Sequence, residues 1–114
     1  MVRFSIVTLF PDSIRSYLDS SILGRAQEVL KPHGSKPGRK AVIEVKYFDP
    51  KTFIDTKERV DRRPYGGGPG MVMEPEAVLK AVEKARGKTK AKIIFFATDG
   101  VQFDEGMAKK LSKV

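Results

Sequence analysis

Residues 61–71 read DRRPYGGGPGM, four glycines and two prolines around one tyrosine, directly behind two arginines. Neither an ordinary hairpin nor a helix cap needs that composition, so the chain must fold around a segment whose backbone something approaches closely. Without a Cβ, Gly66, Gly67, Gly68 and Gly70 can take positive φ and turn N–H groups toward a neighbour, at an entropic cost of roughly 0.5–1 kcal/mol each. Pro64 and Pro69 offset part of that cost by fixing φ. A plain glycine-rich connection between a strand and a helix is the simpler alternative. Spacing excludes two phosphate motifs. A dinucleotide fingerprint counted from Gly66 and Gly68 requires a glycine where Met71 stands, and Gly87-Lys88-Thr89 has only the ending of a Walker loop, with Val82 in the place of its first glycine.

The chain has 114 residues, enough for one small domain and one core. Apolar residues make up 40%, and 22 Lys and Arg against 14 Asp and Glu give a net charge of +8. That balance favours a polyanionic partner, RNA or DNA, because non-specific affinity grows with the number of phosphates neutralised. With no cysteine there is no disulfide framework, zinc-thiolate site or thiol nucleophile. His33, the single histidine, cannot make a metal site alone, and no metal site is expected. The opening MVRFSIVTLF is too short to span a bilayer and lacks a cleavage site, so no membrane association and a cytoplasmic location are expected.

Element order follows from periodicity. Phe4 to Leu9 reads as a buried strand ended by Pro11. Asp12 or Ser13 is placed to cap a helix carrying Ile14, Tyr17 and Leu18, and Ile22, Leu23, Ala26, Val29 and Leu30 continue the same spacing, as one bent helix or two short ones with these residues in the core. Residues 31–40 form a flexible basic loop, solvated in the simpler reading and touching phosphates in the alternative. Ala41 to Phe48 alternates like a strand and stops at Asp49-Pro50. Periodicity then fails across 51–73, and unstructured stretches of that length inside a small domain are usually functional or disordered.

Glu74-Pro75-Glu76 opens a helix with Ala77, Val78, Ala81, Val82 and Ala85 inward and Gly87 at its end. Lys92 to Ala97 reads as a fully apolar strand running into Thr98-Asp99-Gly100, a position where open α/β sheets bind ligands, although a simple turn is the plainer reading. Asp104 or Glu105 starts a last helix with Met107, Leu111 and Val114 inward. The order specifies an α/β domain, a mostly parallel sheet with flanking helices. Leu111-Ser112-Lys113-Val114 has neither a capping glycine nor a closing strand, so the terminus reads as a cut.

The residues also carry a resemblance. Thr8-Leu9-Phe10-Pro11 after the first strand, Gly24-Arg25-Ala26, the run from Val60 and Asp61 through Arg63-Pro64-Tyr65-Gly66-Gly67-Gly68-Pro69-Gly70-Met71, and an apolar strand before Gly100 are similar to the N-terminal part of bacterial tRNA (guanine-N1)-methyltransferases. These are the TrmD type, of the SPOUT class with its trefoil knot. The resemblance spans essentially the whole chain but only about half of a family member, so an incomplete methyltransferase domain without the knot is expected.

The activity that this resemblance implies is methyl transfer from S-adenosylmethionine to N1 of the guanine immediately 3′ of the anticodon of tRNA, by a homodimer with shared sites. By the same resemblance, Phe95, Phe96, Ala97 and Thr98 match the stretch that lines the adenosyl pocket through backbone groups, with Thr98 in place of a proline. Arg63, Tyr65, Gly66, Gly67, Gly68 and Gly70 match the loop bordering cofactor and target guanine. Arg62 stands where the family often has aspartate. The family's general base is an aspartate expected beyond Val114, so no catalytic residue is assigned here, and Asp61 in its arginine-rich setting suits a structural role. The resemblance leaves a need for Mg2+ open. A partial and inactive enzyme is expected, with a stand-alone basic RNA-binding module as the alternative.

Overall fold

The computed structural model describes residues 1–31, 33, 37–55 and 57–113. Its framework is a parallel pair of strands, β1 (Val2–Val7) and β2 (Ile43–Phe48), in a register that sets Ser5 beside Lys46 and Ile6 beside Tyr47. Successive strand residues face opposite sides of a sheet. On one side Ser5 Oγ donates to the Ala85 carbonyl of α3 (Pro75–Arg86) at 3.3 Å. On the other side Arg15 of α1 (Pro11–Leu18) lies 4.9 Å from the centre of the Tyr47 ring. Helices therefore flank both faces, as the α/β reading requires.

The stripe of α3 is buried as its spacing predicts: Ala77 and Ala81 are fully buried and Val78, Val82 and Ala85 half-buried, packed on β1, β2 and a 3-10 turn at Pro50–Phe53. Pro75 occupies the first turn, where its missing N–H costs nothing, and Gly87 ends the helix at φ +56°. Pro50, stopping β2, is buried beneath it.

Several expectations are corrected. β1 runs from Val2 to Val7 instead of Phe4 to Leu9, and Val2 to Ser5 are exposed, with Phe4 at 50%, because a sheet of two strands covers little of its own edge. The first helix is capped at Phe10, since Pro11 takes the first helical position and Asp12 falls into the first turn instead. The helical run divides into α1 and α2 (Ser21–Gln27), with Ser21, the first residue of α2, at positive φ. Gly24 sits so close to this corner that a Cβ there would lie 2.2 Å from the Asp19 carbonyl oxygen. Ile14, Leu18, Leu23 and Ala26 are half-buried, whereas Tyr17, Ile22, Val29 and Leu30 are exposed: two short helices on a two-stranded sheet bury only one narrow line of side chains.

The strand expected at Lys92 to Ala97 is not formed. Apolar residues suit a central strand, but a strand exists only with a ladder partner, and residues 91–97 pair with none among the described residues. Ile93, Ile94, Phe95 and Phe96 are 56–92% exposed. The chain is elongated accordingly, with a radius of gyration of 18.0 Å against about 13 Å for a packed domain of this length. Beyond it, Asp104 caps α4 (Glu105–Leu111) by accepting from the Met107 N–H at 2.7 Å. Met107 and Leu111 are half-buried, and Val114 lies outside the described residues.

Pro32, Gly34, Ser35 and Lys36 of the loop expected at 31–40 also lie outside them. The base of that loop is pinned, since Leu30 and Arg39 exchange two backbone hydrogen bonds of 2.8 Å.

Candidate functional site

Within 51–73, Thr56 excepted, the structure places the turn at Pro50–Phe53 and a short antiparallel hairpin, β3 (Asp61–Arg62) and β4 (Val72–Met73), registered Asp61 to Met73 and Arg62 to Val72. The Glu74 N–H donates to the Val60 carbonyl at 2.6 Å and extends the ladder to the start of α3. The glycine run is the loop of this hairpin. It opens with a turn in which the Gly67 N–H donates to the Pro64 carbonyl at 3.2 Å and Gly66, third in the turn, has φ +79°. A positive φ at that position is what a type II turn demands, and glycine meets it without strain.

Gly67, Gly68 and Gly70 are at +82°, +101° and +86°, so all four glycines hold the backbone conformation that their residue type favours. A Cβ on any of them would meet nothing within 4 Å, so the requirement is torsional and the space beside the loop is open. The N–H groups of Gly66, Gly68 and Gly70 donate to no acceptor among the described residues. Tyr65 is fully exposed at the tip.

Charge gathers at the foot of the loop. An open depression of about 640 Å³ is lined by Glu58, Arg59, Asp61, Arg62, Arg63 and Met71. Arg59 Nε is paired with Asp61 at 3.2 Å, and Arg62 Nε with Glu74 at 2.6 Å. Arg63, also exposed, has no ion pair or hydrogen bond among the described residues, so it is the cation of this group free to meet an anion. Asp61 is engaged with Arg59. A smaller depression of about 210 Å³ lies behind, between the 3-10 turn and α3, and Arg62 and Glu74 line it too.

The structure brings Arg63, Tyr65 and the glycines together on one hairpin. It does not bring Phe95, Phe96, Ala97 and Thr98 to it: these residues are exposed, they line neither depression, and their one local feature is a turn closed by the Gly100 N–H on the Ala97 carbonyl at 3.2 Å. Sequence reasoning passed over Arg59 and Glu58 as parts of the depression, and over Glu74 as the partner of Arg62. The density of charge around Asp61 was the available signal. No helix among the described residues is long and apolar enough to cross a membrane.

The fold and site define an α/β protein that presents an arginine-lined glycine hairpin. The chain belongs to the tRNA (guanine-1)-methyltransferase TrmD family, whose model matches residues 2–114. It is 38% identical over 114 residues to the tRNA (guanine-N(1)-)-methyltransferase of Dictyoglomus turgidum, covering 99% of this chain and 42% of that protein. The Synechocystis sp. protein of the same name is 36% identical over 112 residues, covering 97% and 44%. Among solved structures, tRNA (m1G37) methyltransferase from Aquifex aeolicus superposes with a TM-score of 0.57 at 33% identity, over 75% of this chain and 34% of that one. The chain thus spans less than half the length of these curated relatives.

Proposed function

We propose that this chain supplies the N-terminal, glycine-loop part of a tRNA (guanine-N1)-methyltransferase, which acts on N1 of the guanine immediately 3′ of the anticodon. The observation that supports it is the hairpin: four positive-φ glycines, three of them (Gly66, Gly68 and Gly70) with N–H groups that have no acceptor among the described residues, beside Arg63, which has no partner among them, in a chain that the family matches along its length. Backbone donors and a free guanidinium are the groups that hold RNA phosphate or a base edge. In this role Arg63 and the amides of Gly66, Gly68 and Gly70 orient the tRNA, and Tyr65 offers a ring face to a base.

N1 of guanine carries a proton at neutral pH and is a poor nucleophile until a base removes it while O6 is stabilised. Asp61 is held by Arg59 and is not offered for that task. The base, an aspartate by resemblance, is proposed to lie beyond Val114, together with the knotted segment. S-adenosylmethionine supplies the electrophilic methyl group when bound. Phe95 to Thr98 fit one wall of its pocket, since the backbone of Phe95 and Phe96 is not spent on a ladder, but their exposure means that further protein surface must close it. A second subunit contributing to that closure belongs to the same proposal.

The charge of +8 favours a second reading, a basic RNA-binding module without chemistry. Assays of methyl transfer, tRNA binding and S-adenosylmethionine binding on the 114-residue chain test both readings, and tRNA binding without cofactor binding favours the module. Salt-dependent tRNA binding without methyl transfer is expected. Turnover by this chain alone would overturn the placing of the base, and a lack of tRNA binding at low salt would overturn both readings.

A further inference from the structure

Among the described residues the glycine hairpin has few anchors: beside the local Arg59–Asp61 pair at its foot, two contacts tie it to the start of α3, and both pass through Glu74. One is the backbone bond from Glu74 N–H to the Val60 carbonyl, and the other is the contact of the Glu74 carboxylate with Arg62 Nε, both 2.6 Å. The ladder above them is two residue pairs long, and the loop's own backbone bond is the turn at Pro64–Gly67. No side chain of residues 63–71 has a hydrogen bond or ion pair among the described residues. Glu74 is also the residue at which the hairpin joins α3, the helix packed on β1, β2 and the 3-10 turn. The attitude of a weakly held loop toward that packed body is therefore set at this residue, and a close guanidinium–carboxylate contact is the stronger kind of polar anchor.

Arg62 lines both depressions, so direct contact with a ligand is the role that competes. Two facts weigh against it. Its Nε is already committed to Glu74, whose side chain is only 24% exposed, and the neighbouring Arg63 is exposed and without a partner among the described residues.

We propose that Arg62 is a positioning residue: its ion pair with Glu74 fixes the glycine hairpin against the start of α3, so that Arg63 and the amides of Gly66, Gly68 and Gly70 reach the RNA in one arrangement. This role rests on the tRNA function proposed for the chain.

The test uses the whole chain, a tRNA transcript in fluorescence anisotropy, and the amide resonances of the loop glycines. Arg62→Gln and Glu74→Gln should each weaken tRNA binding by roughly two- to fivefold, the range of an exposed ion pair. Both should shift the resonances of Gly66, Gly68 and Gly70 in the same sense. The swap Arg62→Glu with Glu74→Arg should restore affinity and resonances together. A direct phosphate contact predicts the opposite for two variants: Glu74→Gln would tighten binding by freeing Arg62, and the swap would stay weak. Either result overturns the proposal, as do unchanged resonances in both single variants. If the parent chain binds no tRNA, the functional reading fails, and the resonances alone decide: coordinated shifts with recovery in the swap support the strap, and their absence overturns it.

Discussion

Replacing Gly66 and Gly67 together by alanine tests whether the loop's conformation is needed or merely permitted. Their φ values are +79° and +82°, and an added Cβ at either meets no atom within 4 Å. The penalty is thus torsional, about 1–2 kcal/mol for each L-residue held in the left-handed region, or ~2–4 kcal/mol for the pair if the two add. The loop has an alternative to bearing this cost. It is exposed and held at its base, so it can change conformation without unfolding the domain. Less than ~0.5 kcal/mol should then reach global stability, and the thermal midpoint should move by no more than about 2–4 °C. The population of the glycine-dependent conformation falls instead, by roughly 30-fold at the lower estimate of 2 kcal/mol. Titration with tRNA at fixed salt reads this directly as a loss of affinity of about that size. Unchanged affinity would refute the reasoning and return the loop to the status of a connector. A fall in the thermal midpoint matching the whole torsional cost, with the loop resonances in place, would show instead that the loop is a rigid part of the fold.

Single contacts lead to three further outcomes. Gly24→Ala places a Cβ 2.2 Å from the Asp19 carbonyl oxygen, and because that neighbour is backbone the corner must move, at a cost of about 1–3 kcal/mol; an unchanged thermal midpoint would contradict this. The Glu76 carboxyl titrates below its ordinary value, first because it accepts a hydrogen bond from Lys80 and second because of that ammonium's charge, with Nζ at 2.7 Å. Its contribution is therefore complete above the ordinary carboxylate pKa and is lost as pH falls through the lower folded value. Glu76→Gln should remove that part of the acid-side loss of helicity in a circular-dichroism titration, and superimposable curves would contradict it. Phe95 and Phe96 are 81% and 92% exposed beside Ile93 and Ile94, a patch that should drive concentration-dependent association. Sedimentation velocity should show association for the parent and its loss on Phe95→Asp with Phe96→Asp, and a parent that stays monomeric at all concentrations would refute it.

The elements legible in the sequence are those fixed by local rules. The stripe of α3, its proline at the start and its glycine at the end need only helical spacing and one backbone conformation, and the Asp104 cap needs only a side chain three residues ahead of an N–H. The run from Lys92 to Ala97 shows the limit. Apolar character states what a strand would bury but not whether an edge is there to receive it, and in this structure the run has no ladder partner among the described residues. Tyr17 and Ile22 fail for a related reason, since helical spacing marks a face while the width of the sheet beneath decides how much of it is covered. At the site, positive φ was readable because it is a property of glycine. The pairing of Arg62 with Glu74 was not, because it depends on the hairpin register. Only the fold shows that a carboxylate at Glu74 answers Arg62.

The central claim is that this chain is the glycine-loop part of a tRNA methyltransferase. It is tested most directly by completing it. The chain matches 42% of the Dictyoglomus turgidum protein, so the remainder of that relative can be joined after Val114 and the chimera assayed by primer extension on tRNA. A methyl group on N1 blocks the pairing edge of guanine and stops the polymerase. The account predicts a stop at the guanine immediately 3′ of the anticodon that requires S-adenosylmethionine and fades when Gly66 and Gly67 are both alanine. A chimera that folds and binds tRNA yet gives no stop would contradict it.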